Sequence, residues 1–236
     1  MLLYFIRHGD PVYDPDSLTE LGKKQAEALA KRLSIGGLDE IYCSTSVRAQ
    51  QTAAPTAKAL GLTVKLSDWC NEKYTWDEFT VSDRQGKRWF YQDENARKIM
   101  ASEAVESLRR EWYNYDFFTQ TNAREGVSRI RNETYKFLAS LGYRKAENGN
   151  YYKATAANNK RVALFAHEGF GMAFLSTLLG IPYPTFCLHF GLEHSSMTVI
   201  EFSGMDFVVP CVLQVSNDSH LYKEGLPVNY NNGIVI

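Results

Sequence analysis

A chain of 236 residues, 44% of them hydrophobic, can bury the core of one large α/β domain or of a domain carrying a big insertion. Its 26 Lys and Arg against 27 Asp and Glu leave a formal net charge of −1. No global field therefore recruits nucleic acid or an anionic membrane, any anion site must be a local cluster, and without a run of 18 apolar residues no membrane-spanning helix is expected.

The chain opens with an apolar run, residues 2 to 6, that reads as a buried strand. It is too short for a signal peptide and no basic region precedes it. The run delivers Arg7-His8-Gly9 to one point. An Arg fork can grip two phosphoryl oxygens, an imidazole can attack phosphorus or move a proton, and a glycine lets the backbone approach a ligand. Leu18-Thr19-Glu20-Leu21-Gly22 then opens a helix with Thr19 as its N-cap, and Leu21, Ala26, Leu29, Ala30 and Leu33 follow helical spacing. Ile41-Tyr42-Cys43 reads as a second, parallel strand. Residues 46 to 60 read as a helix, in which Pro55 is expected to impose a kink or a boundary. Residues 62 to 66 alternate like a strand.

From about residue 80 to 150 the chain is crowded with aromatic and charged side chains, and Val127, Ile130, Thr134, Phe137, Leu138 and Leu141 mark an amphipathic helix at its end. Residues 147 to 159, with Asn-Gly and Asn-Asn pairs, read as a loop. Val162 to Ala166 is a second strongly apolar strand, ending at His167-Glu168-Gly169. A helix over 170–179 and strands over 197–202 and 207–215 follow, then an irregular Asn-rich tail. Cys43, Cys70, Cys187 and Cys211 have no metal-ligand spacing, and read as reduced thiols of a cytoplasmic protein. The alternation of strands and helices at both ends predicts a three-layer α/β/α fold with a mostly parallel sheet. Residues 1–236 would be a single domain with a helical cap inserted at about 75–155.

Two apolar strands thus end in His, and in open α/β sheets ligands sit at the carboxyl ends of strands. A third cation comes from the stretch Ser44 to Ala53, where small hydroxyl residues cap a helix and Arg48 lies in its first turn, a setting that favours an anion. With these pieces in place, the chain resembles the histidine phosphatase superfamily, the phosphoglycerate-mutase-like group. The resemblance rests on Arg7-His8-Gly9, the helix start at Leu18 to Gly22, the Ser44 to Ala53 motif and the strand ending at His167, in the family's order. Weaker echoes lie at Glu125 to Arg131 and Ser195 to Thr198. The resemblance implies that His8 is the nucleophile of a phosphohistidine mechanism. Arg7, Arg48 and His167 would hold the phosphoryl oxygens, and no metal or cofactor would be needed. Glu72, in the family's Leu-x-Glu place, would be the proton donor, with Glu78 as understudy.

This chain departs from the mutases in Gly9-Asp10-Pro11, where they carry Gly-Glu-Ser, and in Glu168, where many members have glycine. Three functions are in view: a phosphatase for a small phosphorylated metabolite, a phosphoglycerate-type mutase using the same His8, and a non-catalytic phospho-ligand binder. The expected partner is a small phosphorylated substrate or inorganic phosphate, with no nucleic acid and no membrane. His189, His194 and His220 read as surface or hydrogen-bonded side chains, His194 alone being placed to approach the pocket. The aromatic insertion reads as cap interior, with some of its members lining a substrate mouth, and Arg84, Lys87, Arg88 and Arg97 as a solvated helix face. Nothing in the sequence names the substrate or the oligomeric state.

Overall fold

A computed structural model describes residues 1–84, 86–204 and 206–228. The Asn-rich tail lies outside them from residue 229 onward.

In chain order, β1 (Leu2–Arg7) leads into a small hairpin, β2 (Pro11–Tyr13) and β3 (Asp16–Leu18), then α1 (Glu20–Gly36), β4 (Glu40–Cys43), α2 (Val47–Leu60) and β5 (Val64–Leu66). The insertion follows: α3 (Glu72–Glu78), the hairpin β6 (Thr80–Asp83) and β7 (Gly86–Trp89), α4 (Glu94–Met100), α5 (Glu103–Leu108), α6 (Asp116–Thr119), α7 (Ala123–Ser140), and the hairpin β8 (Tyr143–Lys145) and β9 (Tyr152–Ala154). The chain returns through β10 (Arg161–Ala166), α8 (Glu168–Leu179), α9 (Tyr183–His189), β11 (Met197–Glu201), β12 (Cys211–Asn217) and α10 (Ser219–Lys223).

The central sheet has the order β12-β11-β1-β10-β4-β5. β1, β10, β4 and β5 run parallel, and β11 is antiparallel to both of its neighbours. Burial on both faces explains the continuous apolar runs. Side chains still alternate. Leu3, Phe5, Val162 and Leu164 join Phe170, Phe174 and the α7 residues Ile130 and Leu138 on one face. Ile6, Ala163 and Phe165 meet Leu29 and Leu33 of α1 and Ala49, Ala53 and Ala57 of α2 on the other. The chain leaves β1 toward β4 and leaves β10 toward β11, so the strand order reverses between these two central strands, where α/β sheets open a crevice.

Several expectations change. Thr19 caps α1 as read, its hydroxyl accepting from the Gly22 N–H. Pro55 does not interrupt α2, whose buried face of Ala49, Thr52, Ala53, Thr56 and Ala57 holds it through. Helix α8 starts at Glu168, two residues early, with His167 as its cap. The loop read over 147–159 contains β9, because Tyr152 is fully buried and its backbone pairs with Val208. That bridge and β12 replace the strand read over 207–215. The insertion is not purely helical, since two hairpins belong to it. Lys87 and Arg88 lie on β7 rather than on a helix, and Arg88 pairs with Asp83 and Asp93. No helix among the described residues is long and apolar enough to cross a membrane.

The turn after β1 is pressed against α1. A Cβ on Gly22 would lie 2.2 Å from the Asp10 carbonyl oxygen, and one on Gly9 would lie 2.7 Å from that of Gly22. Gly22→Ala is therefore expected to lower stability by about 1–3 kcal/mol. Gly36→Ala, whose Cβ would meet nothing within 4 Å, should leave stability unchanged or raise it. Urea denaturation of the two variants checks the contrast.

Candidate active site

The site follows from the parallel register. Arg7 pairs with Ala166, and the His8 N–H donates to the Ala166 carbonyl at 3.0 Å. The next residues on the two strands, His8 and His167, therefore stand side by side with ring centroids 5.2 Å apart. His8 Nδ1 lies 2.7 Å from the Gly9 carbonyl. A carbonyl only accepts, so Nδ1 carries the proton and Nε2 the lone pair. Arg48 Nε donates to that Nε2 at 3.2 Å.

Arg48 enters from the first turn of α2, where the Ser46 hydroxyl caps the helix. Beyond His8 it binds Asp16 Oδ1 at 2.8 Å and Glu72 Oε2 at 3.0 Å. Glu72 opens α3, behind its Asn71 cap. Its other oxygen accepts from the Gly169 N–H at the start of α8, at 3.0 Å. His167 Nε2 faces the Ser44 hydroxyl at 2.8 Å and that of Ser46 at 3.3 Å. Its Nδ1 has no hydrogen-bond partner among the described residues and lies 3.6 Å from Glu72 Oε2.

Arg7 is held on the opposite side. It donates to the Leu192 carbonyl at 2.5 Å, lies 2.8 Å from His194 Nε2, and pairs with Glu168 Oε2 at 3.2 Å. Glu168 thus turns toward the site. His194 stands 5.7 Å from the His8 ring, centroid to centroid, and its Nδ1 is 3.6 Å from Asp10 Oδ1. Asp10 in turn accepts from the Thr19 hydroxyl at 2.6 Å.

The structure brings Arg7, His8, Arg48, Glu72 and His167 together. Glu78 is elsewhere, gripped by Arg129 of α7 in a two-pronged pair at 2.5 and 2.6 Å. The cleft mouth is finished by Tyr13 of the first hairpin and by Trp89, Tyr91 and Gln92 of the insertion. Sequence reading missed Asp16, which no motif marks, and Tyr13 and Gln92; Trp89 and Tyr91 belong to the aromatic insertion, some of whose members were expected to line a substrate mouth. His194, read from the sequence as placed to approach the pocket, does line it.

Burial sets the protonation states. It pushes the His8 and His167 imidazoles well below their ordinary pKa, helped by Arg7 and Arg48. Both rings are neutral at pH 7. Burial raises the Glu72 carboxyl, against the opposing pull of Arg48 and Arg7, so it holds a proton more readily than a surface glutamate. Ligand atoms of His8, Glu72 and His167 lie within 4.8 Å of one another. Among the described residues these three side chains are placed to hold a metal ion, but the guanidiniums of Arg7 and Arg48 beside them favour an anion over a cation.

Residues 3–135 match the family model of the histidine phosphatase superfamily (branch 1). A probable phosphoglycerate mutase of Yersinia pestis, GpmB, is 29% identical over 124 residues, 46% of this chain. The match spans 58% of that relative's length. Among solved structures, phosphoserine phosphatase of Entamoeba histolytica in complex with 3-phosphoglyceric acid aligns with TM-score 0.61 at 20% identity, over 93% of this chain and 98% of its own. A mycobacterial glucosyl-3-phosphoglycerate phosphatase aligns with TM-score 0.58 at 20% identity, over 91% and 98%. These structures share the fold.

Burial also holds His194 down to about 3 and His220 down to about 4. With His8 and His167 these rings stay neutral in the folded protein while the unfolded chain takes up protons below about pH 6.5. Stability is therefore expected to fall as pH drops from 7 to 5, by up to about 1.4 kcal/mol per pH unit for each such ring. The raised carboxyls of Glu72 and Glu193 offset part of the loss. Urea midpoints measured across this range check it, and a flat profile would contradict the buried neutral set.

Proposed function

Since the chain belongs to the histidine phosphatase superfamily, we propose that it is a metal-independent phosphomonoester hydrolase that works through a phosphohistidine at His8 on a small phosphorylated metabolite. The observation that carries this reading is the neutral His8 ring, whose Nδ1–H is tied to the Gly9 carbonyl and whose Nε2 lone pair faces Arg48.

The steps follow from the groups around that nitrogen. A phosphate monoester entering the cleft exchanges the Arg48–His8 contact for contacts to its own oxygens. Arg7, Arg48 and the unpartnered His167 Nδ1 hold the three phosphoryl oxygens and stabilise their charge. His8 Nε2 attacks phosphorus in line as the P–O bond to the alcohol breaks. Glu72, whose carboxyl burial inclines toward the protonated form, gives a proton to the leaving oxygen. As a carboxylate it then takes a proton from water, whose oxygen attacks phosphorus, breaks the P–N bond and restores His8. The Ser44 and Ser46 hydroxyls at His167 Nε2 keep the proton on Nδ1. The segment from about 75 to 155, within a single unit of 1–236, serves as the cap that shapes specificity. The buried cysteines Cys43, Cys70 and Cys187, free as thiols, support a reducing, cytoplasmic setting.

A mutase reading uses the same His8 and keeps the phosphoryl group for return to the substrate. It draws support from the name of the 29%-identical relative. The replacement of Gly-Glu-Ser by Gly9-Asp10-Pro11 counts against it.

His8→Ala is expected to lower turnover of p-nitrophenyl phosphate, with EDTA present, by at least about a thousandfold. Survival of activity in that variant, or a need for added metal, would refute the mechanism. Glu72→Gln should slow alkyl phosphates at least about tenfold more than aryl phosphates, whose leaving groups need no proton. Equal losses would remove Glu72 from the role, and full activity with loss in Glu78→Gln would transfer it.

A further inference from the structure

The charges of the site are already compensated before any ligand arrives. Arg48 is paired with Asp16 and Glu72. Arg7 is paired with Glu168, both side chains being less than a tenth exposed. The residues that line the cleft include one arginine, Arg7, against the carboxyl groups of Asp10, Glu72 and Glu168. The imidazoles add no charge at neutral pH, because burial keeps His8, His167 and His194 unprotonated. Three cations close in sequence to Trp89 and Tyr91 are engaged elsewhere: Lys87 with Asp77, Arg88 with Asp83 and Asp93, and Arg97 with the Tyr91 carbonyl. None of these three lines the cleft.

A phosphoryl dianion takes up the two arginines. A second anionic group on the same molecule then meets the carboxyl groups of Asp10 and Glu168, and among the described residues that line the cleft no Lys or Arg other than Arg7 is present. Like charges in a partly buried site repel strongly. The remaining wall is aromatic. Trp89 and Tyr91 stack with centroids 5.7 Å apart at 15°, Gln92 lies beside them, and Tyr13 closes the mouth from the first hairpin. Trp89 and Tyr91 are themselves largely buried, so Tyr13, exposed at the mouth, is the aromatic side chain that can meet a flat, uncharged ring.

We propose that the substrates are phosphomonoesters of uncharged, ring-bearing alcohols, and that Glu168 excludes esters carrying a second anionic group. The inference rests on the hydrolase reading of the same site. It sets this chain apart from proteins acting on phosphoglycerates, whose carboxylate the cleft would repel. Glu168, at the first position of α8, acts both by facing the substrate and by neutralising Arg7.

The test uses pairs of esters that differ in one charge. Glycerol 3-phosphate differs from 3-phosphoglycerate by a hydroxymethyl group in place of a carboxylate, and phenyl phosphate pairs with 4-carboxyphenyl phosphate. In each pair the unmodified protein is expected to favour the neutral member by at least about tenfold in kcat/KM. Glu168→Gln should narrow both ratios. Tyr13→Ala, at a side chain 67% exposed, should raise KM for phenyl phosphate more than for glycerol 3-phosphate. His8-dependent hydrolysis with no preference for the neutral esters, or ratios unchanged in Glu168→Gln, would overturn this inference and leave the hydrolase reading standing. Equal KM changes in Tyr13→Ala would overturn its ring component. Absence of turnover of every one of these esters would overturn both.

Discussion

The guanidinium of Arg48 is the point on which the rest of the site depends. It touches His8 just after β1, Asp16 at the start of β3, and Glu72 at the start of α3. A cation only 11% exposed at its side chain is tolerable because these partners surround it, and the partners need it equally. Deleting it would strand two carboxyl groups and leave the His8 lone pair without a donor. The same contacts connect the turn after β1, the first hairpin and the first helix of the insertion, so the cap is keyed to the strand ends through one planar group.

Around this node the fold supplies geometry and the burial supplies chemistry. Parallel pairing of β1 with β10 sets His8 against His167, although the two are far apart in sequence. The N-termini of α2 and α8 point at the same crevice, one presenting Arg48 and the other the Gly169 N–H that binds Glu72. Low solvent access keeps the imidazoles neutral and the Glu72 carboxyl basic. A neutral imidazole and a carboxyl of raised proton affinity thus coexist beside two permanent cations, the division of roles that the proposed phosphoryl transfer requires. Each arginine also faces a carboxyl group, which is why the proposed substrate carries one phosphoryl group and no second anion.

Arg7, His8, Arg48, Glu72 and His167 were legible in the sequence because each sits at a strand end or in the first turn of a helix, where local pattern fixes position. The choice of Glu72 over Glu78 was legible only as an order of preference. What settles their places is Arg129 of α7, which takes Glu78, and no local signal links residues on separate helices. Asp16, Tyr13, Trp89 and Tyr91 arrive through turns and a cap whose placement depends on packing. His194 precedes Ser195, a non-glycine residue at φ 57° whose N–H donates to the His8 carbonyl, a conformation that hydropathy does not reveal. Within the fold, Pro55 and the loop around Tyr152 were misread for one reason. A buried face outweighed the local preference in both cases.

The central claim is that the phosphoryl group passes through His8. Brief incubation with a labelled phosphomonoester, an alkaline quench that preserves a phosphoramidate, and peptide mapping tests it most directly. The account predicts one labelled site, at His8, that loses its label in acid and on further incubation with water. Turnover at full rate with no labelled protein, or with label on another residue, would contradict it.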